Sequence, residues 1–261
     1  MATEAGARTL DRVDLERRVK DMYTRVADEP AGEFHFEMGR TLAERLGYPP
    51  ADLDRIPREA VESFAGVGYY FDLAGIRAGE SVLDLGSGSG MDTFLAAVAT
   101  GPAGRVDGVD MTDAQRKKAE RLGTRDGFTQ VRFHKGYIEA LPFDQACCDV
   151  VISNGVINLS GDKPAVFAEV ARVLKPGGRL ALADIVSEQA LPEGVTCNAT
   201  LWAACIGGAA QQDQYQSWIT GAGLRLVTVR ENPQYRFLTA QAQNATRKWG
   251  VKSISLLAIK P

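Results

Sequence analysis

The run Val82-Leu83-Asp84-Leu85-Gly86-Ser87-Gly88-Ser89-Gly90 sets an apolar stretch against an acid and then three glycines at alternate positions. Glycines so spaced let a strand turn sharply into a helix while a ligand lies against bare backbone, because the space side chains would fill is left open. The dinucleotide fingerprint G-x-G-x-x-G, which seats a pyrophosphate on a helix N-terminus, is spaced differently. Here the third glycine comes one residue early. Asp84 lies inside the turn, where a carboxylate repels a pyrophosphate and attracts the ammonium end of a zwitterion. That chemistry favours S-adenosyl-L-methionine (SAM) over NAD. Val106-Asp107-Gly108-Val109-Asp110 is a second short apolar run ending in an acid, 20 residues beyond Gly90. This is the offset at which such folds place a ribose-binding carboxylate. The cofactor residues expected from this stretch are Asp84, Gly86, Ser87, Gly88, Gly90, Asp110 and the adjoining Met111.

Other side chains are candidates for the reacting end. Asn154 closes the apolar run Val150-Val151-Ile152-Ser153. It falls where open α/β sheets place ligand chemistry, and its amide donates and accepts without charge. A contact to the cofactor near its methyl is expected there. His35 stands between Phe34 and Phe36, a setting that suits a lid closing over an acceptor and taking its proton. Phe64, Tyr69 and Tyr70 are expected near the same entrance. Cys205 is a thiol of either catalytic or packing use. Asp162, before Lys163-Pro164, reads as a helix N-cap, and His134 as structural.

The elements that hold these residues follow from periodicity. Short apolar runs near 81–85, 105–109, 130–134, 148–153, 178–184, 224–231 and 253–259 predict strands, and helical patterns near 91–100, 113–122, 163–174 and 211–222 alternate with them. This is the signature of a parallel sheet covered on both faces. Lys175-Pro176-Gly177-Gly178 reads as a helix stop and turn, and the last two strands carry no helical pattern between them. Upstream, residues 10–28 have helical spacing with Asp11 or Asp14 as cap, a second pattern runs through Met38, Leu42 and Leu46, and a short helix is expected over 51–63. The fold class is therefore α/β: a doubly wound, mostly parallel seven-stranded sheet with an N-terminal helical lid. Residues 1–70 form that appendage and 71–261 the core, with 186–223 on the acceptor side.

Asp84-Leu-Gly-Ser-Gly-Ser-Gly90 resembles the first motif of class I SAM-dependent methyltransferases, E/D-x-G-x-G-x-G. The resemblance implies a Rossmann-like core whose last two strands pair antiparallel. It also implies that Gly136-Tyr137-Ile138 covers the adenine, with Gly136 and Ile138 as contacts and Tyr137 where an Asp is usual. Ser153-Asn154-Gly155-Val156-Ile157-Asn158-Leu159-Ser160, Asp162-Lys163 and Trp202-Ala-Ala-Cys205-Ile-Gly-Gly-Ala209 sharpen it towards the arsenite methyltransferase group. That group commonly has cysteine after Ser-Asn, and further cysteines upstream of the glycine motif. This chain has Gly155 there and no cysteine before Cys147.

The chain has 261 residues, a net charge of −3 and four cysteines, Cys147, Cys148, Cys197 and Cys205, without C-x-x-C spacing. One large domain with an appendage has ample core at this length. No positive field exists to hold a polyanion, and no signal peptide or membrane span is apparent. A cytoplasmic protein with reduced thiols, a small-molecule acceptor and no nucleic-acid or membrane partner is expected. No metal site is expected, and the oligomeric state is left open. The leading function is methyl transfer from SAM to a small molecule by in-line displacement. The alternatives are an arsenite methyltransferase with a reduced cysteine set, since soft trivalent arsenic is held by several thiolates, and a SAM-binding scaffold without turnover.

Overall fold

A computed structural model describes residues 11–196, 202 and 206–261. Five helices come first: α1 (Arg12–Asp28), α2 (Gly39–Leu46), α3 (Pro50–Leu53), α4 (Arg58–Glu62) and α5 (Phe71–Ala74). The alternating core follows as β1 (Ser81–Leu85), α6 (Met91–Thr100), β2 (Arg105–Asp110), α7 (Asp113–Arg125), β3 (Val131–Lys135), β4 (Cys148–Asn154), α8 (Lys163–Val173) and β5 (Leu174–Ser187). The chain ends with α9 (Glu193–Thr196), β6 (Ala210–Gln211), α10 (Gln212–Gly221), β7 (Arg225–Glu231), α11 (Ala240–Trp249) and β8 (Lys252–Ile259).

The strands form one sheet in the order β3-β2-β1-β4-β5-β8-β7, with β6 pairing on β5. The first five strands pair parallel, and β8 pairs antiparallel with both β5 and β7. The order reverses between β1 and β4, which opens a crevice at their carboxyl ends. Alternation along each strand feeds two cores: Val82, Val150, Ile152, Ala181 and Ala183 face one way, Leu83, Leu85, Val151, Leu180 and Leu182 the other. A third cluster joins Leu42, Leu46, Tyr48, Leu53 and Phe64 of the N-terminal region to Met91, Phe94, Leu95 and Leu122 of α6 and α7.

The expected class holds with three amendments. The sheet has eight strands, because Ala210–Gln211 adds a two-residue strand beside β5. A helix, α11, does lie between the last two long strands, capped by Thr239, whose hydroxyl accepts from the Ala242 amide at 3.1 Å. Residues 51–63 hold two short helices, the second entered through Pro57, because a proline fits a helix start and not its interior. Asp11 caps α1 and Asp162 caps α8, each accepting from amides of the first turn.

Candidate cofactor cavity

Above the carboxyl ends of β1, β2 and β4 lies a cavity of about 540 Å³. Its floor is the glycine turn, and each glycine there has its own reason. Gly86 has φ +68° and an added Cβ would fall 2.5 Å from Val156; at Gly90, φ +94°, it would fall 2.8 Å from Phe94. Gly88 differs, since φ is +52° but the nearest atom to its Cβ would be Gln115 Oε1 at 3.8 Å. Its side is open towards the cavity. The turn is fixed from β2: Asp110 accepts from the Gly88 amide at 2.9 Å and from the Thr112 amide at 2.7 Å.

Six carboxyl groups line this cavity, and three of them, Asp84, Asp92 and Asp110, sit around the glycine turn. Asp84 accepts from the Thr93 hydroxyl at 2.6 Å. Asp92 accepts from the hydroxyls of Tyr48 and Tyr70, both at 2.8 Å, and from the Asn154 amide at 3.1 Å. Burial raises all three above the ordinary carboxylate range, and Asp84, which also feels the charge of Asp92, is raised well above it. None of them is ion-paired among the described residues. Buried carboxylates without a countercharge are costly, so the site favours a cationic ligand.

The buried Ser87 hydroxyl, also in the cavity wall, has no hydrogen-bond partner among the described residues. An orphaned polar atom beside an open glycine face and carboxyls without a countercharge suits a polar, positively charged ligand. SAM fits such a lining: Asp84, Ser87 and the Gly86–Gly88 backbone could hold its amino-acid end, Asp110 its ribose, and Met111 with Ile138 its adenine.

Of the sequence-derived residues, Asp84, Gly86, Ser87, Gly88, Asp110, Met111, Gly136, Ile138 and Asn154 line the cavity. Gly90 supports it from beneath. Asn154 is spent on the protein itself: its Oδ1 accepts from the Val67 amide at 2.7 Å, and its Nδ2 donates to Tyr48, Asp92 and the Gly68 carbonyl at 3.0–3.1 Å. These bonds knot β4 to the N-terminal segment at the cavity wall. His35 lies in a neighbouring recess with Tyr23, Phe36, Ala65 and Tyr235, its ring edge-on to Phe36 at 4.7 Å. Phe64 reaches the cavity wall; Tyr70 is buried on Asp92, and Tyr69 packs against Tyr48. His134 bonds Asp107 at 2.8 Å. Cys205 and Cys197 lie outside the described residues.

Asp92, Tyr48 and Glu139 went unforeseen. Asp92 stands only two residues beyond the third glycine, in the first turn of α6, and a carboxyl at that point was the available signal. Glu139 follows Ile138 into the wall and accepts from the Ser160 hydroxyl at 2.5 Å. From the opposite side α1 closes over the opening. Tyr137 donates to Glu16 at 2.7 Å and accepts from Lys20 at 3.0 Å.

Residues 76–223 match the family model of a methyltransferase domain. The arsenite methyltransferase of Halobacterium salinarum is 38% identical over 187 residues, which is 72% of this chain and 48% of that protein. A crystal structure of an arsenic(III) S-adenosylmethionine methyltransferase from Chlamydomonas reinhardtii aligns with TM-score 0.64 and 30% identity, covering 86% of this chain and 74% of the other. Geranyl diphosphate C-methyltransferase from Streptomyces coelicolor A3(2) shares the fold at TM-score 0.67 and 17% identity, covering 93% and 98%. The fold and cavity thus define a class I SAM-dependent methyltransferase. The chain belongs to the methyltransferase-domain family, with arsenite methyltransferases among its relatives, and SAM is the cofactor of that class. The chain spans about half the length of the curated relatives it matches.

Proposed function

We propose that this protein transfers the methyl group of SAM to a small-molecule acceptor by in-line displacement. The observation that carries the reading is the trio of carboxyls around an open glycine turn, Asp84 and Asp92 buried and Asp110 half-buried, none in an ion pair among the described residues, with the Ser87 hydroxyl orphaned beside them. When bound, SAM supplies a methyl already activated by its sulfonium. The chain's task is then to align the acceptor, exclude water and hold the cofactor still. Phe64, Val156 and Leu159 give the cavity an apolar wall for that purpose, and α1 shields the opening. His35 does not line the cavity, so no proton transfer is assigned to it. The free thiols Cys147 and Cys148 suit a cytoplasmic protein. Among the described residues no helix is long and apolar enough to cross a membrane.

A second reading, with trivalent arsenic as the acceptor, draws support from the relatives. Against it stands Gly155, at φ +72°, where an added Cβ would fall 3.1 Å from Val67. The cysteine that the arsenite group commonly has there would be strained in this backbone. Incubation with isotope-labelled SAM and fractions of cell extract, followed by mass spectrometry, tests the proposal, with arsenite plus a thiol as a separate arm. A labelled small molecule is expected, with slow arsenic methylation. Rapid arsenic methylation would establish the second reading, and SAM binding with no product in any arm would make the chain a scaffold.

A further inference from the structure

Cys147 and Cys148 lie at the far end of β4 from the cavity, six residues from Asn154 along the strand, or about 20 Å at strand rise. Consecutive side chains on a regular strand point to opposite faces, so neighbouring cysteines ordinarily cannot share a ligand. Here the regularity fails on both sides of the pair. Ala146, just before it, is the non-glycine among the described residues with positive φ, at +52°. The register of β4 on β5 shifts between Cys148 and Val150, a bulge of the kind that re-aims side chains. The amides of Ala146 and Cys147 donate to the carbonyls of Arg172 and Val173, each at 2.9 Å, which pins the distortion to the end of α8. As a result the two sulfurs stand 3.3 Å apart. Cys148 is buried and Cys147 half-buried, beside the exposed turn at 144–146. Arg105, Asp107 and Arg172 supply the nearby charges.

A soft ion with bonds to sulfur of about 2.3 Å, held between sulfurs at this spacing, would have an S–ion–S angle of roughly 90°. Structural zinc needs a wider tetrahedral angle and four ligands. Among the described residues no group of three or more His, Cys, Asp or Glu could hold a metal. A trivalent pyramidal centre accepts both the narrow angle and a pair of thiolates, its third substituent being its own. We propose that Cys147 and Cys148 form a two-thiol site for a trivalent arsenical, separate from the methyl-transfer cavity. The half-buried Cys147 makes the first bond and Cys148 closes the ring. Each step exchanges an As–O bond for an As–S bond, and the thiol proton leaves with the hydroxide as water; nothing is oxidised or reduced.

Phenylarsine oxide is the probe, read by intact-mass spectrometry on the Cys197→Ser/Cys205→Ser chain, in which only this pair remains. One adduct per chain is expected, resistant to excess monothiol and released by a dithiol. Adding Cys147→Ser should cut its resistance to monothiol by roughly 10²–10⁴-fold, the loss expected when a two-point attachment becomes one-point. On the unaltered chain, the probe should protect Cys147 from alkylation by iodoacetamide. Absence of both the adduct and this protection, or an adduct equally resistant after Cys147→Ser, would overturn the site. The measurement uses neither SAM nor turnover, so its outcome is independent of the proposed methyl transfer.

Discussion

Asp84 accepts a hydrogen bond from Thr93 at the cavity floor, whereas Asn154 spends its amide on Val67, Tyr48, Gly68 and Asp92. Burial raises the Asp84 carboxyl well above its ordinary value, so the ligand-free protein holds the proton to higher pH than an exposed aspartate does. That group stabilises the ligand-free fold fully below the ordinary carboxylate value, and the contribution is lost as pH rises through the raised one. A cationic ligand favours the ionised form, so SAM binding should release protons and tighten as pH rises through the raised value. Calorimetry in buffers of different ionisation enthalpy reads this directly. Asp84→Asn should abolish the linkage and weaken SAM by about 1.5–3 kcal/mol, the worth of a charged hydrogen bond. Proton release unchanged in Asp84→Asn would move the titration to Asp92 or Asp110. Asn154 instead ties Val67, Tyr48 and Asp92 together. Asn154→Ala should cost about 1–3 kcal/mol for each buried partner left unpaired, seen as a lower Tm in the absence of ligand. An unchanged Tm with methyl transfer lost would show that this amide acts on the acceptor.

At the scale of elements, what the sequence disclosed depended on how strongly each segment's own chemistry dictated its shape. The strands β1 and β4 and the second half of β5 are mostly apolar because both faces are buried, β2 shows only Val106 and Val109 between acids and a glycine, and the glycine turn announces itself by composition. The helix α11 was hidden because it buries only Ala242 and Ala245, too little for an apolar stripe. Its Thr239 cap and the left-handed Gly250 at its end were the readable marks. The two-residue β6 left no pattern to detect. Site residues that sit in the glycine turn were legible for the same local reason. The knot at Asn154 was not, since its partners Tyr48 and Val67 are 106 and 87 residues away in the chain. The role expected of His35 rests on its aromatic neighbours, whose rings pack on Tyr23 and on each other, and the residue lines a recess beside the cavity, a placement that no local pattern encodes.

For the molecule as a whole, the N-terminal region is built into the core as well as over it. Leu42, Leu46, Leu53 and Phe64 share one cluster with Phe94 and Leu122, while Leu15 and Val19 of α1 pack into another with strand residues. Lys118, buried on α7, donates to the Ala27 carbonyl at 2.7 Å and to the Ser63 hydroxyl at 2.8 Å, so an ammonium group also depends on this region for its partners. Removing residues 1–60 would expose Phe94 and Leu122 and deprive Lys118 of Ala27. At about 1.5–3 kcal/mol for each large side chain taken out of its packing, a few such losses equal the whole stability of a domain, about 5–15 kcal/mol. The truncated chain should therefore lose its near-ultraviolet circular dichroism and its SAM binding together, and the full chain should unfold in one thermal transition with the same midpoint by fluorescence and by far-ultraviolet circular dichroism. Two separated transitions, or a truncated chain that stays folded and binds SAM, would make residues 1–60 a detachable lid and confine their influence to the acceptor side.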